Sequence, residues 1–174
     1  MAMSKFSEYM TFETKYKNLI DFLKETIPED AGKNKPLLPH LLRVGTFLHD
    51  HGYSEEVVKA GLLHDMIEWT DHPQHLICDS YGEHVYEIVL ANTKNRDITN
   101  PQQRREDYVN RCANVGLDAL IVKAADILDS YAYYSEHGNT TELDRSVQIA
   151  KLILAKVDKS LDPIFEKLDD LAHN

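Results

Sequence analysis

Apolar positions recur every three to four residues along most of this chain, the spacing of one buried face of an α-helix. Tyr16, Leu19, Ile20, Phe22 and Leu23 predict a first helix over 11–27, which stops at Ile27 because Pro28 disfavours a helical residue before it. The polar stretch "PEDAGKNKP" is then a loop. Pro36 and Pro39 open a second helix that ends at His51, with Gly52 as its left-handed terminator. Ser54, followed by Glu55 and Glu56, caps a third that runs to about Trp69. A short helical stretch begins at Pro73, is interrupted at Gly82 and resumes through "EHVYEIVLANT". "NPQQ" at 100–103 combines an Asn cap with Pro in the first helical position and starts a helix that closes at Gly116. "LDALIVKAADILDSYAYYSEH" forms the next, ending before Gly138, and a last one runs from Thr141 with a break at Pro163.

No segment alternates polar and apolar residues long enough to predict a strand. The expected fold is all-α, a compact single-domain bundle of about seven or eight helices. With 174 residues, of which 43% are apolar, the chain can bury one substantial core, and residues 1–174 are expected to form one domain that includes the helices over 141–172.

Two of these helices are apolar nearly all round, which marks them as central. One spans 57–69 and carries Val57, Val58, Leu62, Leu63, Met66 and Ile67; the other spans 117–134 with Leu117, Leu120, Ile121, Val122, Ile127 and Leu128. Their ionisable residues are His64, Asp65 and Glu68 on the first, and Lys123, Asp126 and Asp129 on the second. A buried carboxylate costs several kcal/mol unless it is paired or bound to a cation. Two central helices that each offer acids to the interior therefore point to a shared cation. His40, in line with Val44, Phe47 and Leu48, turns inward as well. His40, His64, Asp65 and Asp126 make a mixed imidazole and carboxylate set that suits Mn, Fe, Co, Ni or Zn better than Ca. A second His-Asp pair, in "FLHDHG" at 47–52, falls in the last turn before Gly52, where a capping role explains it.

The formal net charge of −10 argues against a nucleic-acid polymer or an anionic membrane as partner. A small polyanion would need a local cluster of Lys and Arg, or a bound cation. Cys78 and Cys112 have neither metal-ligand spacing nor the number for a disulfide framework, and no apolar run is long enough to span a membrane. Both fit a cytoplasmic protein.

The order His40, His64-Asp65, Asp126 resembles the HD-domain metal-dependent phosphohydrolase superfamily. Within it the chain is most similar to the hydrolase domain of RelA/SpoT-type enzymes, which remove the 3′-pyrophosphate from (p)ppGpp. The similar segments are "KPLLPHLLRVG", "AGLLHDMIEWTD", "YGEHVYEIVLANTK" and "LIVKAADILDSYAYY", within residues 31–135. Three positions depart from the family's pattern. Trp69 follows Glu68 where the family has a second acid, Ile127 replaces an Arg and Ser130 an Asn; upstream of His40 the basic segment keeps only Lys33 and Lys35.

The resemblance implies one divalent ion, Mn before Fe, Co, Ni or Zn, held by the four named residues, and a small phosphorylated nucleotide as substrate. Glu68 is the candidate for orienting the attacking water or accepting its proton. Asp129 is a candidate support for the metal site, or a partner of Lys123. Lys33, Lys35, Arg43, Lys94 and Lys123 are candidate phosphate contacts, Ser130 stands beside the last metal ligand, and Tyr133 or Tyr134 could close the pocket. Two other functions stay open: an HD-type phosphatase for a different nucleotide, and a nucleotide-binding or sensing module with weakened catalysis. Oligomeric state is left open.

Overall fold

A computed structural model describes residues 11–32 and 34–173. Among the described residues, eleven α-helical segments and one 3-10 turn make up the regular structure, and there is no strand. The all-α expectation holds, while the helix number exceeds seven or eight because three predicted elements are interrupted. The first helix divides at Tyr16 into α1 (Phe12–Lys15) and α2 (Lys17–Thr26). The third divides into α4 (Glu55–Leu63) and α5 (Met66–Trp69). The last divides at the loop before Pro163 into α10 (Thr140–Leu154) and α11 (Pro163–His173), with the 3-10 turn Lys159–Leu161 between them. The others are α3 (Leu37–Asp50), α6 (His75–Tyr81), α7 (Glu83–Asn92), α8 (Pro101–Val115) and α9 (Leu117–Glu136).

Four of the helices start at a capping side chain: Thr11, Ser54, Asn100 and Asn139. The Ser54 side chain accepts the Val57 N–H, and Asn100 accepts the N–H groups of Gln102 and Gln103 with Pro101 beside it. At the end of α3 the His51 Nδ1–H donates to the Phe47 carbonyl at 2.8 Å, and Gly52 has φ +77°. The second His-Asp pair is thus a helix terminus, as its position before glycine implies.

The break between α4 and α5 sets where two of the candidate metal ligands stand. The His64 Nδ1–H donates to the Gly61 carbonyl at 2.7 Å, the acceptor that a continuing helix would offer to the Asp65 N–H. The chain turns there, and consecutive residues His64 and Asp65 meet at a helix junction instead of on a helix wall.

α9 is the central element and packs against α3, α4, α7, α8, α10 and α11. Its buried residues include Leu120, Ile121, Val122, Ala124, Ala125 and Ile127. α3 and α4 approach closely because both present glycine at the contact: a Cβ on Gly45 would come within 2.6 Å of Leu62 Cδ2, and one on Gly61 would overlap Leu48. This close pairing brings His40 on α3 up to His64 at the end of α4. No helix among the described residues is long and apolar enough to cross a membrane.

Candidate metal centre

His40 and His64 are both fully buried, at 0% exposure. Each turns Nδ1 toward an atom that only accepts: Asp129 Oδ2 at 2.6 Å for His40, and the Gly61 carbonyl at 2.7 Å for His64. Both Nδ1 atoms therefore carry the proton, and in the neutral rings both Nε2 atoms hold a lone pair. Those lone pairs face each other across 3.3 Å. Asp126 Oδ1 lies 3.2 Å from His40 Nε2 and 3.7 Å from His64 Nε2, and Asp65 Oδ2 lies 3.9 and 3.6 Å from the same atoms.

Donors about 2.1 Å from one ion stand roughly 3.0 Å apart at right angles and about 3.4 Å apart at the tetrahedral angle. The His40–His64 and His40–Asp126 spacings, 3.3 and 3.2 Å, fall in this range, and the other three, 3.6 to 3.9 Å, are a few tenths of an ångström wider. His40, His64 and Asp65 by themselves offer donor atoms that all lie within 4.8 Å of one another. Four electron-rich atoms converging in a buried place repel unless protons or a cation lie among them, and the mixed nitrogen and oxygen set suits a borderline divalent ion.

Charges around the cluster are balanced by named partners. Burial opposes ionisation of Asp126, but the adjacent Lys123 ammonium outweighs it and holds its carboxyl well below the usual range. Lys123 Nζ donates to Asp126 Oδ2 at 3.1 Å, and Ser130 Oγ donates to Oδ1 at 3.2 Å. Burial also pushes the Lys35 ammonium down, against the raising effect of Asp126, Asp65 and Asp129. Burial opposes protonation of His64 too, yet Asp65 and Asp126 hold its pKa above the ordinary imidazole value.

The cluster opens on a cavity of about 680 Å³, with Asp65 and Asp126 on its wall. Glu68 lines the same cavity. Its side chain is 4% exposed, with Oε1 accepting the Lys94 N–H at 2.8 Å and Oε2 accepting Lys94 Nζ at 3.2 Å. Lys35 and Ser130, joined by a 2.7 Å hydrogen bond, also line the cavity.

Other residues singled out from the sequence lie elsewhere. Arg43 grips Asp129 with two hydrogen bonds of 2.6 and 2.9 Å, and Tyr133 covers the Arg43 guanidinium at 5.7 Å; none of these three lines the cavity. Of the two neighbouring tyrosines, Tyr134 is the one on the wall. Asp129 pairs with His40 and Arg43, not with Lys123. Lys33 lies outside the described residues.

The cavity contains cations that sequence reasoning missed: Arg96, Arg104, Arg105 and Arg145. Arg145 is paired with Glu142, and Arg104 donates to the Ile98 carbonyl, while Arg105 has no hydrogen bond or ion pair among the described residues. A signal for three of them was present, since Lys94, Arg96, Arg104 and Arg105 cluster in the polar segment after Thr93. Nothing local marks Glu142 and Arg145, which sit on an amphipathic helix packed beside α9.

The HD domain family matches residues 20–155. The guanosine-3′,5′-bis(diphosphate) 3′-pyrophosphohydrolase of Aquifex aeolicus is 29% identical over 127 residues, covering 71% of this chain and 18% of that protein. A probable enzyme of the same name from Mycoplasma genitalium is 29% identical over 112 residues, covering 56% of this chain and 15% of its own. The chain thus spans less than a fifth of the length of these relatives. Among solved structures, lmo0812 from Listeria monocytogenes EGD-e superposes with a TM-score of 0.65 at 23% identity, over 81% of this chain and 98% of its own. A metazoan ortholog of SpoT described as hydrolysing ppGpp superposes with a TM-score of 0.69 at 18% identity, over 94% of this chain and 95% of its own. At these identities the structural likeness speaks for the fold, and the match across residues 20–155 carries the assignment: the chain belongs to the HD domain family.

Proposed function

We propose that this chain is a metal-dependent phosphohydrolase for a small phosphorylated nucleotide, with guanosine 3′,5′-bis(diphosphate) the first substrate to test. The observation that carries this reading is the junction of two features: a buried set of converging metal-type donors, and a cavity whose wall also holds guanidinium groups. In a chain of net charge −10, such a wall is a local reversal of sign that a polyanion would recognise. The names of the Aquifex and Mycoplasma relatives support the choice of substrate.

His40, His64, Asp65 and Asp126 would hold the ion, and Mn is the ion to load first by family resemblance. A divalent ion there would lower the pKa of water and neutralise charge on a phosphoryl group. The protein's own residues do the rest. Glu68 is held at the cavity wall by two bonds from Lys94, and its remaining lone pairs can take a proton from water. Arg96, Arg104 and Arg105 draw and orient the anionic ligand, while burial of both imidazoles keeps bulk water from the donor cluster. We read the chain as one HD-type unit working in the cytoplasm.

Trp69 and Ile127 favour a second reading, in which the same chemistry serves a different nucleotide, because both apolar side chains line the cavity where the resembled enzymes carry charge. Purified protein loaded with Mn and given a nucleotide panel separates the two. The expected result is release of phosphate or pyrophosphate, at least ~100-fold slower in Asp65→Asn. Absence of turnover on every phosphoester, with the ion bound, would remove the hydrolase reading and leave a nucleotide-binding module.

A further inference from the structure

We propose that Asp129 and Arg43 are positioning residues that clamp the His40 ring so that Nε2 faces the ion site, and that the affinity of the site depends on this clamp. The proposal rests on the metal reading of the donor cluster.

The two imidazoles are held differently. His64 donates to a neutral backbone carbonyl of its own helix, whereas His40 donates across the bundle to a carboxylate, from α3 to α9. A carboxylate partner makes an imidazole a more basic ligand and fixes its tautomer and its orientation. Arg43 grips both Asp129 oxygens, with Nε on Oδ1 at 2.6 Å and Nη2 on Oδ2 at 2.9 Å, a two-point ion pair that fixes the orientation of the carboxylate. Oδ2 is the same oxygen that accepts from His40. Tyr133 covers the outer face of the guanidinium and stacks on His137 at 4.0 Å. A continuous set of contacts therefore runs from the surface to a fully buried imidazole.

Other duties for these residues are excluded by position. Arg43, Asp129 and Tyr133 do not line the cavity, so they are not placed to contact a ligand in it. Lys123 neutralises Asp126 and leaves Asp129 to its other partners. Arg43 is half exposed and could reach solvent, yet it turns to Asp129.

Titration calorimetry with Mn on the folded protein tests the clamp without any turnover. Asp129→Ala should weaken Mn binding about 10- to 100-fold. Asp129→Asn, of the same shape, keeps an oxygen for His40 Nδ1 but loses the charge, and should fall between the two. Arg43→Ala should weaken binding in the wild-type background and change nothing further in Asp129→Ala, because Arg43 acts through Asp129. A merely structural role would lower the melting temperature of the metal-free protein but leave Mn affinity below that temperature unchanged. Should Asp129→Ala fail to fold, Asp129→Asn and Arg43→Ala decide the matter. Wild-type Mn affinity in Asp129→Asn and Arg43→Ala overturns the clamp, as does an Arg43→Ala effect of undiminished size without Asp129. No Mn binding by the wild type overturns the metal reading itself, a separate result.

Discussion

Lys123 shows how a single residue is tied to the site it lies behind. Its side chain is 4% exposed, its ammonium is 3.1 Å from Asp126 Oδ2, and it sits 4.7 Å over the Tyr108 ring. Removing one partner of a buried pair leaves the other charge uncompensated, which costs about 3–5 kcal/mol. Lys123→Met should therefore destabilise the metal-free protein by about 3 kcal/mol in urea titrations, and adding Asp126→Asn should recover part of that loss. A loss below ~1 kcal/mol would mean that Asp126 is neutralised by other groups. In the sequence, Lys123 is a candidate phosphate contact, and its place on an apolar helix points to burial. Helical spacing favours Asp126, three residues on, over Asp129, six residues on, as its partner, but only the packing of α3 against α9 assigns Asp129 to His40.

At the scale of elements, His84 on α7 pairs with Asp118 on α9 at 2.9 Å. The hydrogen bond to Asp118 raises the His84 pKa, against a smaller lowering by burial. A raised histidine stabilises the fold fully below its unfolded pKa of about 6.5, and that contribution is lost as pH rises through the folded value. Urea midpoints of the wild type and Asp118→Asn should therefore differ most near pH 6 and converge by about pH 9. A difference that grows with pH would contradict this pairing. Element boundaries are legible where a local signal exists, at the Ser54 and Asn100 caps and at Gly52, Gly82 and Gly116. The division between α4 and α5 is not, because it comes from the His64 side chain taking the Gly61 carbonyl. Apolar periodicity continues through that junction, so residues 57–69 read as one helix.

For the whole molecule, a net charge of −10 and a cavity with a cationic wall coexist because charge is distributed by the fold. An ion bound only by the folded state stabilises it by about 2.7 kcal/mol at ~100 times its dissociation constant. For a chain of 174 residues this should raise the melting temperature by roughly 5–10 °C. Scanning calorimetry with Mn against a chelator checks it, and the shift should vanish in Asp126→Asn; no shift in the wild type would exclude a resident ion. What the sequence determined by itself was the helical class, since period and caps are local properties of a chain, and buried acids on apolar helices pointed to the donors proposed above. Only the tertiary structure decided which charges meet. Arg43 and Asp129 are 86 residues apart, Asn34 and Glu142 are 108 apart, and Arg105 joins the cavity from a polar helix. Such contacts depend on how helices lie against one another, set by side-chain volumes across the core, such as Gly45 against Leu62. No spacing along the chain encodes that.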